Sequence, residues 1–265
     1  VHRAKAVSDP HVPAFVDDGQ AGDRLYLAFA LADGQPLSAF AGGRPVDVRT
    51  ATEIAEQVAD LLASASSVHG VVHGALEPAS ILVAPGNRVC VLHLGLAQGT
   101  GHGAARRAAA GPTGGEGGPA DSAIARQARY ISPEQALGEP ADHKADLFTL
   151  GVILYEMLTG QVPFEGSSPA DTIVKIVQAT PVPPSQLNPA VSPALDTIVL
   201  RALAKSRDAR YSSGHDLAAD LRGLTADLAA STRVGRGESR PVKGGSNWTV
   251  SCWAPSGPRC TTRSV

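Results

Sequence analysis

The chain has 265 residues, 43% hydrophobic and 18% charged, a globular composition long enough for one large domain or two small ones. A formal net charge of -2 supplies no global field for holding nucleic acid or an anionic membrane, and no apolar run approaches the roughly 20 residues that span a bilayer. The N-terminal residues lack an apolar signal core, and Cys90, Cys252 and Cys260 form neither a disulfide framework nor a zinc spacing, so a cytoplasmic, reducing setting is expected.

Residues 11–18 and 24–31 are short and rich in Val, Phe, Tyr and Leu, and the polar stretch 17–23 between them reads as the turn of a hairpin. From Ala51 onward Ile54, Val58, Leu61 and Leu62 recur at helical spacing, and Thr50 with Glu53 reads as a capping box opening a helix of about 15 residues. The apolar segments 81–84 and 88–92 flank Pro85-Gly86-Asn87 and predict a second hairpin. Nine glycines fall between Gly95 and Gly118, where no apolar period survives, so a long loop is expected over 96–125.

The second half reads as helical. Leu147, Phe148, Leu150, Ile153, Leu154, Met157 and Leu158 occupy more than one face, the mark of a helix buried all round, and Gly160 stops it. Ser168-Pro169 and Ser192-Pro193 each place a cap residue before a proline at the first helical position. A last helix is expected from about Ser213 to Leu228. Beyond Ser231 six basic residues (Arg233, Arg236, Arg240, Lys243, Arg259, Arg263) face one acid, Glu238, without periodicity, which predicts a disordered basic tail over 231–265. Base rates for charge runs favour a solvated terminus over contact with an acidic partner.

His73-Gly-Ala-Leu-Glu-Pro-Ala-Ser80, then Val91-Leu-His-Leu-Gly95, Tyr130-Ile-Ser-Pro-Glu134, the segment Asp146 to Gly160, and Arg210-Tyr211 form an ordered series over residues 9–224. The series resembles the bacterial serine/threonine branch of the protein kinases, whose corresponding loops read His-Arg-Asp-Leu-Lys-Pro-x-Asn and Asp-Phe-Gly. The resemblance implies an α+β, protein-kinase-like fold: a small-lobe remnant over 1–33 (the end of a helix, two strands and the hinge) and a helical large lobe over 34–230. Roughly the first three strands of the small lobe, with the Gly-rich loop, the strand lysine and the helix glutamate, have no counterpart in this sequence.

The departures fall on the atoms that transfer phosphate. The resemblance puts Ala75 at the aspartate that handles the substrate hydroxyl proton, Glu77 at the lysine that approaches the transferred phosphate, and Ser80 and His93 at the two magnesium ligands. A methyl group accepts no proton, a glutamate repels the phosphate anion, and neither Ser nor His is the hard carboxylate oxygen Mg²⁺ prefers. Gly74 replaces the arginine that would grip a phosphorylated loop, so Thr100, Thr113 and Ser122 are weak switch candidates, and Arg126-Gln127 departs from the family's Gly-Thr. His73 and Leu94 retain packing roles, Glu134 and Arg210 match the family's buried ion pair, and Asp146 matches the residue that holds the catalytic-loop backbone. The hinge positions Phe29, Ala30, Leu31 and Ala32 offer adenine an open shelf, which binds weakly.

Two other patterns carry less. Gly99-x-Gly101-x-x-Ala104 fits a dinucleotide fingerprint superficially, but the segment after it has no apolar face for a crossover helix. His69, His73 and His93 could form a metal trio on spacing alone, yet no carboxylate third ligand accompanies them. The expectation is a catalytically dead, regulatory or scaffolding pseudokinase that binds a protein partner, such as an active kinase or its substrate, and needs neither ATP nor Mg²⁺. The alternatives are an ATP- and Mg²⁺-dependent kinase using atypical residues, for instance Glu77 as base, and a truncated product without function.

Overall fold

The structure, a computed structural model, describes residues 7–96 and 126–234, with the side chains of Leu25 and of 227–234 left aside. The elements are β1 (Phe15–Ala21), β2 (Arg24–Phe29), β3 (Gln35–Pro36), α1 (Leu37–Ala41), α2 (Val48–His69), β4 (Ile81–Ala84), β5 (Arg88–Val91), α3 (Pro133–Ala136), α4 (His143–Thr159), α5 (Pro169–Gln178), α6 (Pro184–Leu187), α7 (Pro193–Ala202) and α8 (Gly214–Val234). Short 3-10 turns at Pro78–Ser80 and Arg207–Ala209 complete the series. Among the described residues helices dominate and the sheets are small, an α+β architecture.

β1 and β2 form an antiparallel hairpin with Phe15 opposite Phe29 and Ala21 opposite Arg24. The polar residues 17–20 are therefore strand and not turn: both faces of β1 are largely solvated, so exposed Asp17 and Asp18 cost the strand little, and the chain reverses only at Gly22-Asp23. The second hairpin turns where the sequence places it, with Gly86 and Asn87 at φ of 78° and 57°, values that glycine and asparagine accept readily. β4 is the middle of a three-stranded sheet, because the two-residue β3 adds to its free edge with Gln35 opposite Val83.

α2 begins at Val48 and is longer than its apolar period suggests, because Asp47, not Thr50, caps it: the Asp47 carboxylate accepts from the Thr50 amide at 3.1 Å. Glu53 is drawn elsewhere, to Arg49 at 2.9 Å and to Asn87 at 3.0 Å, so it ties the helix to the β4–β5 turn instead of closing a capping box. Gln57 adds to the tie, donating to the Asn87 carbonyl at 2.8 Å and accepting from Val89 N at 3.1 Å.

α4 is the centre of the molecule, with buried residues from Ala145 to Thr159 on every face and Gly160 (φ 73°) as its C-terminal cap. Gly151 lets α7 approach: a β-carbon there would lie 2.9 Å from the Ala202 β-carbon. Ser168 and Ser192 cap α5 and α7 through the amides of Asp171 and Leu195, each ahead of a proline. One core joins α2, α4, α7, α8 and the β4–β5 sheet. The last helix reaches Val234, past the expected end at Leu228. The expected helix end before Val7, most of the glycine-rich loop and the tail beyond 234 lie outside the described residues.

Candidate functional site

The loop 73–80 is pinned from below. Asp146, at the start of α4 and 3% exposed, accepts from His73 N at 2.6 Å and from Gly74 N at 2.8 Å, one amide on each carboxylate oxygen. Burial pushes this carboxyl up to about 7, against the two amides, which favour the ionised form. From the other side Gln135 donates to the Gly74 carbonyl at 2.8 Å. Gln135 also makes a capping box with Ser132, which starts α3, so one side chain couples the Ser-Pro-Glu segment to the loop.

His73 is fully buried and joins this loop to the strand end after β5. Its Nε2–H donates to the Leu92 carbonyl at 2.9 Å, and its Nδ1 accepts a longer bond from Ala75 N at 3.4 Å, the arrangement of the neutral ring. Burial pushes its pKa down to about 4. Leu94 is buried in the same core.

The polar positions facing the cleft are differently disposed. Ser80 is 3% exposed, and its hydroxyl is spent locally, donating to the Glu77 carbonyl at 2.8 Å and accepting from Glu77 N at 3.2 Å. It shapes the 3-10 turn. His93 is exposed and holds φ of 63°, a left-handed conformation uncommon outside glycine, asparagine and aspartate. Ala75 and Glu77 are partly buried. Among the described residues no cluster of three His, Cys, Asp or Glu side chains could hold a metal ion.

Above this floor lies a cavity of about 320 Å³ whose wall includes the hinge residues Phe29, Ala30, Leu31 and Ala32, with Leu92, His93 and Leu94 beneath. Its character is apolar. Leu31 is 97% exposed and Phe29 36% exposed, so the hinge side is open to solvent. The Ala30 amide is engaged with the Ala14 carbonyl at 2.8 Å.

Below the loop Arg210 uses all five of its N–H donors. Two go to the Glu134 carboxylate at 2.7 and 2.8 Å, and the others reach the carbonyls of Ala204 (2.7 Å), Lys144 (3.1 Å) and Lys205 (3.1 Å). Burial alone would raise the Glu134 carboxyl; the hydrogen bonds from Arg210 outweigh it and hold the group below its ordinary value. The Phe148 ring lies 4.9 Å from the guanidinium, closing the site to water.

A helical lobe centred on a buried helix whose first aspartate holds a His-x-x loop, with a bidentate Glu–Arg pair behind it, defines a protein-kinase-type domain. The chain belongs to the protein kinase family: the family model described as "Protein kinase domain" matches residues 1–220. It is similar to the serine/threonine-protein kinase PknB of Mycolicibacterium smegmatis, with 36% identity over 226 residues, 82% of this chain and 34% of the relative. It is also similar to PknB of Mycobacterium leprae, at 34% identity over 82% of this chain and 34% of the relative, and to serine/threonine-protein kinase Pkn1 of Myxococcus xanthus, at 36% over 82% of this chain and 30% of the relative. The chain thus spans about a third of the length of these curated relatives. Among the described residues no helix is long and apolar enough to cross a membrane.

Three features of the site escape the sequence. Gln135, the Leu92 carbonyl and the mutual bonding of Glu77 and Ser80 carry the loop's shape. Gln135 had a signal, since Ser132-x-x-Gln135 is a capping-box spacing. The Glu77–Ser80 bonding is also local, three residues apart, whereas the contact with the Leu92 carbonyl depends on chain folding.

Proposed function

We propose that the chain is a pseudokinase: a kinase domain that binds a protein partner, an active kinase or its substrate, and transfers no phosphate. The observation that carries this is Ala75 on a loop still held by Asp146 and Gln135, so the scaffold that would aim a base is kept where there is no base to aim. A general base contributes about 10²- to 10⁴-fold, so its loss alone is severe. Glu77 adds a negative charge where a phosphate would gather more, and Ser80 and His93 offer Mg²⁺ no carboxylate. Nucleotide, if it enters, has the apolar hinge cavity, and among the described residues that line it none is a lysine or arginine to neutralise its phosphates.

The test is a calorimetric titration of the full chain with ATP, with and without Mg²⁺, paired with a phosphotransfer assay. The expected result is no strengthening by Mg²⁺ and no transfer. Restoring Ala75→Asp, Glu77→Lys, Ser80→Asn and His93→Asp together should make binding metal-dependent, because aspartate tolerates the left-handed backbone at position 93. Micromolar, Mg²⁺-dependent binding by the unaltered chain, with phosphotransfer, overturns the reading.

A further inference from the structure

The apolar hinge cavity and the strand beside it lack a cover among the described residues. Val12, Phe29, Leu31, Leu82 and Leu94 line the cavity, and its volume of about 320 Å³ is enough for one aromatic group. Leu31, 97% exposed, and Phe29 leave apolar surface at its mouth. Strand β2 leads into that mouth at Phe29 and pairs, among the described residues, with β1 alone, so its other edge offers backbone donors and acceptors to a further strand. The surroundings are acidic: from Asp9 to Asp33 the chain carries Asp9, Asp17, Asp18, Asp23 and Asp33 against one arginine, Arg24.

The chain itself contains a segment with matching properties. Both of its tryptophans lie beyond α8, in Trp248-Thr-Val-Ser-Cys-Trp253. Trp248, Val250 and Cys252 alternate with Thr249 and Ser251, the period of a strand with one apolar face, and aromatic and β-branched residues favour that conformation. The residues leading to it are basic, with Arg236, Arg240 and Lys243 against Glu238. The fourteen residues from Gly235 to Trp248 extend up to about 49 Å at about 3.5 Å each, whereas a domain of about 200 residues is about 43 Å across. α8 also ends on a suitable side. It packs along α2, with the β-carbon position of Gly214 against Ala59 and Ala63 and Arg222 at 2.8 Å from Glu56, and runs toward the N-terminal end of α2, which α1 and its flanking turns join to the hinge.

We propose that residues 248–252 dock on the chain's own hairpin, adding a strand to the open edge of β2 and seating Trp248 in the hinge cavity, while the basic residues 236–243 lie against the aspartates around it. Burial of the indole with the exposed faces of Leu31 and Phe29 drives the contact, and strand pairing sets its register. The segment and any ligand of the cavity then exclude one another. The proposal does not depend on whether the chain transfers phosphate.

Because Trp248 and Trp253 are the chain's two tryptophans, fluorescence of the full chain reads the contact directly. With Trp253→Phe the emission comes from Trp248 alone; it should lie to the blue of a free tryptophan amide, and acrylamide should quench it less. Adding Leu31→Asp, a change on a side chain outside the core, should return the emission to that of the free amide and restore quenching. Leu187→Asp, also exposed but on α6, should change neither. Hydrogen exchange gives a second reading: Trp248→Ala should speed exchange of the Leu27 and Ala28 amides by about tenfold and leave Val152 and Ile153 unchanged. Free-amide emission from the Trp253→Phe chain overturns the proposal. So does burial that survives Leu31→Asp, which would place the indole elsewhere, and burial that grows with protein concentration, which would place it on a second copy.

Discussion

At the scale of single residues, His73 shows how a kept side chain can hold a site together and also limit it. Its neutral ring donates to Leu92 and accepts from Ala75; a second ring proton would face the Ala75 amide, donor against donor, with no water to separate them. The folded pKa, pushed down to about 4, lies below the ordinary value of 6.5, so the unfolded chain takes the proton first. The stability His73 contributes is therefore complete above about pH 6.5 and is lost as pH falls towards about 4, with a limiting slope of about 1.4 kcal/mol per pH unit. Asp146 acts in the opposite sense: its carboxyl is raised to about 7, so its contribution is largest at low pH and is lost as pH rises through about 7. The readout must isolate the histidine, and the difference in urea midpoint between the parent and His73→Phe does so. That difference should be largest at pH 7.5 and shrink steadily to pH 4.5; a constant difference would mean that the ring is not held neutral. The positions of His73, Ala75, Glu77, Ser80 and His93 were legible because the loop aligns with its family pattern without a gap. Of the loop's partners, Asp146 was named through the resemblance as the residue that holds the backbone, whereas Gln135 was not, since it lies 61 residues from Gly74 in sequence and only folding brings it in.

At the scale of elements, legibility followed burial. α4 was plain because its apolar residues outnumber one face, and the Ser-Pro starts of α5 and α7 because capping is local chemistry. The start of α2 was misread because two capping spacings overlap, Asp47-x-x-Thr50 and Thr50-x-x-Glu53, and the tertiary pull of Asn87 on Glu53 decides between them. Asp47→Ala should accordingly cost about 1 kcal/mol. Thr50→Ala should cost less at the cap, because the bond comes from the backbone amide of that residue. Denaturant unfolding of the two variants checks the order, and a larger loss for Thr50→Ala would return the cap to Thr50. β1 was cut short in the reading by Asp17 and Asp18, residues that usually mark turns, because a hairpin solvated on both faces has no alternating pattern to declare itself.

At the scale of the molecule, the β1–β2 hairpin stands apart from everything else. The buried core runs from Leu37 to Leu221 through α2, α4, α7, α8 and the β4–β5 sheet, and contains no described side chain from β1 or β2. The hairpin is attached by a short lead, in which Val91 N donates to the His11 carbonyl at 2.7 Å, and is braced internally by the edge-on contact of Phe15 and Phe29 at 5.9 Å. Val16 and Leu31 are exposed beside it, at 63% and 97%. A two-stranded hairpin is marginal on its own in water, so this one should open without unfolding the helical lobe. Native-state hydrogen exchange tests this: amides of Leu27 and Ala28 should be protected at least about 100-fold less than those of Val152 and Ile153 in α4. Equal protection would place the hairpin inside the main cooperative unit and would require contacts that the core does not contain. With the expected result, the hinge wall of the apolar cavity belongs to the least stable part of the molecule, so a ligand there must order the hairpin as it binds, whereas a partner on the helical lobe meets a surface already built.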